Sequence, residues 1–176
     1  MLSLVETVKL PGHARGSIDL HAEQFRDTRT KIGDVTAEIR TAVAQDEVAQ
    51  RLQTIAGVGP IPLSVLAATL SDVTGFRSTR DLAAWIGLTP KPNSSGGKER
   101  FGAISKMGNR YIRRRLYLGA MARIAARKER GPGDDWLWSL LERKPIKLVA
   151  IALANRMART VWALIRTGES YGRVPA

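Results

Sequence analysis

Ser94-Ser95-Gly96-Gly97-Lys98 has the residue types needed to make and break a bond to phosphorus. A serine hydroxyl attacks a phosphodiester when three conditions hold. It must be exposed, nearby cations must stabilise charge on the phosphorane, and a base or metal must help remove its proton. The glycines give access, and Lys98, Arg100, Lys106 and Arg110 supply cations close in sequence. No histidine follows, and Glu99 is the only nearby carboxylate. On residue chemistry alone, a phosphate-binding Gly/Ser turn is the simpler reading and the nucleophile its alternative. The glycine-lysine spacing of a Walker-type phosphate loop is not met. Tyr111 and Tyr117 flank an arginine cluster and could also attack a phosphodiester, but on a regular helix such residues more often pack or bond phosphate.

Charge says what such a loop would meet. The 176 residues carry 28 Lys and Arg against 16 Asp and Glu, a formal net charge of +12. Residues 1–95 hold 10 basic and 10 acidic side chains, residues 96–130 hold 11 and 2, and residues 131–176 hold 7 and 4. Three quarters of the excess thus lies in 35 residues. A one-sign block reads as a phosphate-binding surface, and the expected partner is a polyanion. Cysteine is absent and there are only two histidines, His13 and His21, which excludes disulfides, thiol nucleophiles and a zinc cage. The N-terminus lacks a long apolar core, and the longest apolar run, Leu148 to Ala154, is far too short to span a bilayer. The expectation is a cytoplasmic protein with no membrane partner.

The elements that must position the loop are helical. From Ile18 to Leu52, the apolar residues Ile18, Phe25, Ile32, Val35, Ile39 and Val43 recur at helical spacing and predict a long coiled-coil-like helix. Its narrow seam calls for a sister subunit or a further domain, or else it packs on the rest of the chain. Leu52 to Leu70 resembles a helix-hairpin-helix turning at Gly57-Val58-Gly59. There, glycines allow close approach to a phosphate and the next helix start offers N–H groups; an ordinary helical hairpin is the alternative. Ser78-x-x-Asp81 reads as a capping box for a short helix ending at Gly87. Residues 89–102 predict no regular element. Asn109 is a candidate N-cap for a helix to about Lys128 with Ile112, Leu116, Ala120 and Ile124 buried. Arg110, Arg113, Arg114 and Arg115 crowd its first turns against the macrodipole, which points to anion binding. Residues 131–135 read as a loop and WLWSLLER as a helix. Pro145 then opens a buried helix to Arg166; core packing is expected for all four tryptophans, with base stacking on Trp136 or Trp138, beside the 131–135 loop, as the alternative. The fold class is mainly α.

TIAGVGPI, FRSTRDLAAWIGLTP, NSSGGKERFGAISKMGNRYIRR and KLVAIALANRMARTVWALI, in that order, resemble the C-terminal domain of insertion-sequence transposases of the DEDD class related to Piv-type DNA invertases. The similarity runs over residues 18–172. The resemblance implies a recombinase whose RuvC-like half binds Mg2+ through a DEDD carboxylate set, while the half resembled here supplies a serine that attacks DNA. A noncoding guide RNA can direct the choice of DNA, and a coiled-coil helix joins the halves. The family's serine precedes a glycine, which places it on Ser95, with Ser94 second. Lys98, Arg100, Lys106, Asn109, Arg110, Arg113 and Arg114, with Gly57 and Gly59, would then form the DNA- or RNA-binding surface.

This implies residues 1–17 as a flexible segment, 18–51 as the coiled-coil-like helix and 52–176 as the transposase C-terminal helical domain. Only 17 residues precede Ile18, and Glu6 and Asp19 do not make a four-carboxylate site. The chain is therefore expected to be a truncated transposase, inactive alone, with no cofactor of its own and a separate RuvC-like partner. A noncatalytic nucleic-acid-binding or oligomerising remnant is the alternative.

Overall fold

The computed structural model describes residues 11–92, 101–131 and 135–170. Among them the chain is mainly helical and divides into two units, residues 1–41 and 42–176. Helix α1, Gly12–Gln45, opens ahead of the expected Ile18 and supplies most of the first unit. Of the seam read from the sequence, Phe25, Ile32 and Val35 are each more than half exposed, whereas Ile18 and Ile39 are half-buried and Val43 is buried. The helix does not run on to Leu52 as expected. The Asp46 side chain accepts from Ala49 N–H at 2.9 Å and N-caps a separate helix α2, Glu47–Gln53. A short acidic side chain that captures a backbone N–H ends one helix by starting another.

In the second unit, α2 turns into α3, Pro60–Thr69, and α4 follows as Thr79–Ile86. The serine half of the capping box is present: Ser78 Oγ accepts from Asp81 N–H, and Gly87 closes α4 in the left-handed conformation at φ +80°. Next come β1, Pro90–Pro92, and β2, Phe101–Ile104, paired antiparallel with Pro90 opposite Ile104 and Pro92 opposite Phe101. This ribbon corrects the expectation that residues 89–102 hold no regular element. Local sequence hides it, since two prolines remove ladder donors from β1. The pairing is set by its base, where Ser105 N–H donates to Thr89 O at 2.8 Å and Lys106 N–H to Gly87 O at 3.2 Å.

Helix α5, Arg110–Glu129, is N-capped by Asn109, whose Oδ1 accepts from Ile112 N–H at 3.0 Å. Its stripe of Ile112, Leu116, Ala120 and Ile124 is buried as the spacing predicts. After α6, Trp136–Arg143, comes α7, Ile146–Thr167, against which α2, α4, α5 and α6 all pack. By length and composition α7 could cross a membrane, but Val149, Ala150, Leu153, Ala154, Met157, Ala158, Val161 and Leu164 are the core of this unit. It is not buried all round, since Arg156 and Arg159 lie exposed on its open side. Trp85 and Trp136 also depart from the expected core, at 40% and 43% exposure.

Candidate nucleic-acid interface

Ser94, Ser95, Lys98 and Arg100 lie outside the described residues; the structure does define what holds the two ends of their segment. Gly87 and Gly108 interlock at the base of the ribbon. A Cβ on Gly87 would sit 2.0 Å from Met107 O, and one on Gly108 would sit 1.7 Å from Trp85 O. Both have positive φ, +80° and +94°, so glycine is required for conformation as well as for space. Lys106, between β2 and this contact, is exposed and adopts φ +56°, the one positive value on a non-glycine residue among those described. The C-terminus of α4 and the N-terminus of α5 are thereby joined directly, and residues 88–107 leave and return at one place.

The arginines that crowd the start of α5 divide into two kinds. Arg113 is half-buried, and its Nη1 donates to Ile86 O at 2.7 Å, satisfying a terminal carbonyl of α4. Arg115 Nη2 donates to Tyr111 Oη at 2.9 Å, with its guanidinium 4.8 Å from the Tyr111 ring centroid. Arg110 and Arg114 are exposed, as is Lys106. Asn109 is occupied as the cap. We therefore expect Arg113→Met to lower stability by about 1–3 kcal/mol by orphaning a carbonyl. Arg114→Met should leave the melting temperature in place and weaken duplex DNA binding a few-fold, as paired thermal melts and fluorescence anisotropy would show.

The hairpin turn is built for close packing. Gly57, at φ +93°, puts its would-be Cβ 2.6 Å from Gly119 O, and one on Gly119 would meet Gly57 O at 2.1 Å. Helix α5 therefore runs directly against the turn, which accounts for the glycine at 57. Gly59 N-caps α3 without a side chain and has nothing within 4 Å of its Cβ position. Pro60 and Pro62 lack N–H groups and Leu63 N–H already donates to Gly59 O, so Gly59 and Ile61 remain as the amide donors at this helix start. Gly57→Ala should cost about 2–4 kcal/mol from combined strain and overlap, and Gly59→Ala at most about 1 kcal/mol, compared by urea melts.

Beside the turn lies a cleft of about 740 Å³ lined by Arg123, Arg127 and Arg130 of the α5 end. Within it Arg127 Nε donates to Asp135 Oδ2 at 2.6 Å and Nη1 to Gly131 O. Asp135 also N-caps α6 by accepting from Leu137 and Trp138 N–H. The bond from Trp138 N–H first, then that from Arg127, holds its carboxyl below the ordinary carboxylate range. Arg127 and Arg130 belong to the basic block visible in the sequence. Their approach to the hairpin was not visible there, because it depends on the Gly57–Gly119 contact between distant segments.

Residues 49–132 match the model of the transposase IS116/IS110/IS902 family. Over 165 residues, 92% of this chain, the sequence is 41% identical to 42% of the Sinorhizobium fredii protein y4pF/y4sB, described as a transposase. It is 38% identical over 80% of its length to 39% of the transposase for insertion sequence element IS1111A of Coxiella burnetii. It is 36% identical over 81% of its length to 43% of the transposase for IS1328 of Yersinia enterocolitica. The chain spans less than half the length of these relatives.

Proposed function

We propose, on the premise that residues 49–132 form a transposase domain of the IS116/IS110/IS902 family, that this chain is the DNA-binding and strand-exchanging part of an insertion-sequence transposase. The observation that carries the reading is the glycine clamp: Gly87 and Gly108 fix the base of the β1–β2 ribbon, the exposed cations Lys106, Arg110 and Arg114 follow it along the chain, and Ser94 and Ser95 fall between its two strands in sequence. In this reading Ser95 Oγ bonds to a DNA phosphorus as the bond to the departing deoxyribose oxygen breaks, and that oxygen ends with the proton. Attack by a hydroxyl of the new partner strand reverses the step, so one phosphodiester is exchanged for another. Ser94 is the alternative nucleophile. Lys98, Arg100, Lys106 and Arg110 hold the phosphate, and Arg114 grips the backbone nearby.

Magnesium belongs in this reading to a DEDD carboxylate set on a RuvC-like part. Among the described residues no group of three His, Cys, Asp or Glu side chains could hold a metal ion. The reading includes a serine-recombinase relationship to Piv-type invertases and a cytoplasmic location. It also includes a guide RNA as partner and self-association through the exposed part of the α1 seam, whose Phe25, Ile32 and Val35 need an apolar surface. The test is a denaturing gel of the chain with labelled element-end DNA, magnesium and a separately made RuvC-like half. A covalent protein–DNA band is expected. Its absence beside salt-sensitive binding would instead leave a noncatalytic nucleic-acid-binding module.

A further inference from the structure

Three neighbouring hollows in the second unit share lining residues. The cleft beside the hairpin turn shares Arg123, Asp135 and Leu137 with a hollow of about 190 Å³ that reaches Trp136 and Arg156. Those two residues also line a third, of about 570 Å³, that runs along α7 to Arg159 and Thr79. Side by side they make an arginine-lined surface, the trough, carrying Arg123, Arg127, Arg130, Arg156 and Arg159 with one carboxylate, Asp135, among its described lining residues. That carboxylate is occupied by Arg127 and by its helix cap.

Two features distinguish this trough from a merely basic surface. Its arginine heads are placed: Arg159 Nε donates to Thr79 Oγ1 at 3.3 Å, and Arg127 lies 5.1 Å from the Trp138 ring centroid. An aromatic stands at its middle, where Trp136 is 43% exposed and carries the Arg156 guanidinium 4.9 Å from its ring centroid. Placed cations beside an exposed indole–guanidinium pair are what an unpaired strand uses, phosphates on the arginines and a base stacked on the flat groups. A duplex keeps its bases inside its own stack and cannot use the indole.

We propose that the Arg123–Trp136–Arg159 trough binds an unpaired nucleic-acid strand, with a base stacked on the Trp136–Arg156 pair and the phosphates held by Arg123, Arg130 and Arg159. The proposal rests on the nucleic-acid reading above but uses residues other than those of the Ser94–Ser95 segment.

The test is fluorescence anisotropy of the full chain with labelled fifteen-nucleotide oligo-dT, oligo-rU and a duplex of equal length, across a salt series. Trp136→Ala should weaken single-strand binding by about tenfold, with Trp136→Phe near wild type and duplex binding within about twofold. The tighter of the dT and rU arms identifies the strand as DNA or RNA. Should Trp136→Ala fold poorly, Arg130→Gln at the exposed mouth should lower the single-strand salt slope by about 0.7. The proposal is overturned if neither variant changes single-strand binding, or if duplex binding falls equally. Competition by polyglutamate as strong as that by the oligonucleotides would also overturn it and assign an acidic protein partner. The covalent band at Ser95 is a separate readout, so failure here and failure of the transposase reading are distinguishable.

Discussion

Ser95→Ala is expected to reduce the covalent protein–DNA product by at least about a thousandfold while changing duplex affinity by less than about twofold. Alanine removes only the hydroxyl, and the cations that would bind the phosphate, Lys98, Arg100, Lys106 and Arg110, all remain. Loss of the nucleophile in a covalent mechanism leaves no route to the adduct, whereas loss of one neutral hydroxyl changes little in a salt-dependent contact with many phosphates. Ser94→Ala is the internal comparison, because it alters the same segment and should keep the band. Equal loss of binding and product in Ser95→Ala would remove the catalytic assignment, and a band lost only in Ser94→Ala would move the nucleophile by one residue. Gel and anisotropy measurements on the same preparations separate these cases.

The helices of this chain are legible because their signals are local. Ser78 with Asp81, Gly87, Asn109 and the four-residue spacing from Ile112 to Ile124 each act within a few residues of where they stand, and each occurs as expected. Asp46 is equally local, but the apolar spacing on both sides of it reads as one continuous helix. The ribbon is not legible, because two prolines and a glycine-rich stretch carry no period of two; its pairing is imposed by the contact between Gly87 and the Met107–Gly108 turn. Arg113 misleads for the same reason. Sequence places it in a cationic cluster, while the fold brings it 27 residues back along the chain to the Ile86 carbonyl. Of the candidate interface, charge at Lys106, Arg110 and Arg114 could be read directly. The trough could not, since Arg156 and Arg159 sit on a helix whose composition reads as buried throughout.

Gly108→Ala should be among the most damaging single substitutions in the chain, lowering stability by about 3–5 kcal/mol and the melting temperature by roughly 10 °C or more. Two effects act together. A Cβ at Gly108 would stand 1.7 Å from Trp85 O and 2.9 Å from Trp85 C, backbone atoms that cannot rotate away. The residue also holds φ +94°, which an alanine reaches only with strain. Gly75→Ala is the control: its Cβ position has nothing within 4 Å, and its melting temperature should stay within about 2 °C of wild type. If Gly108→Ala melts like that control, the clamp is not rigid in solution. A refolded Gly108→Ala chain should also lose the covalent band while keeping salt-sensitive binding. The exposed cations Arg110 and Arg114 stay on α5, whereas the base of the ribbon is fixed to the start of that helix through the Gly87–Met107 and Gly108–Trp85 contacts, the two amide bonds beneath the ribbon and Arg113. A phosphate can bind a set of mobile cations, but attack on phosphorus needs the hydroxyl held within reach of the reacting atom, and that requirement falls on the clamp.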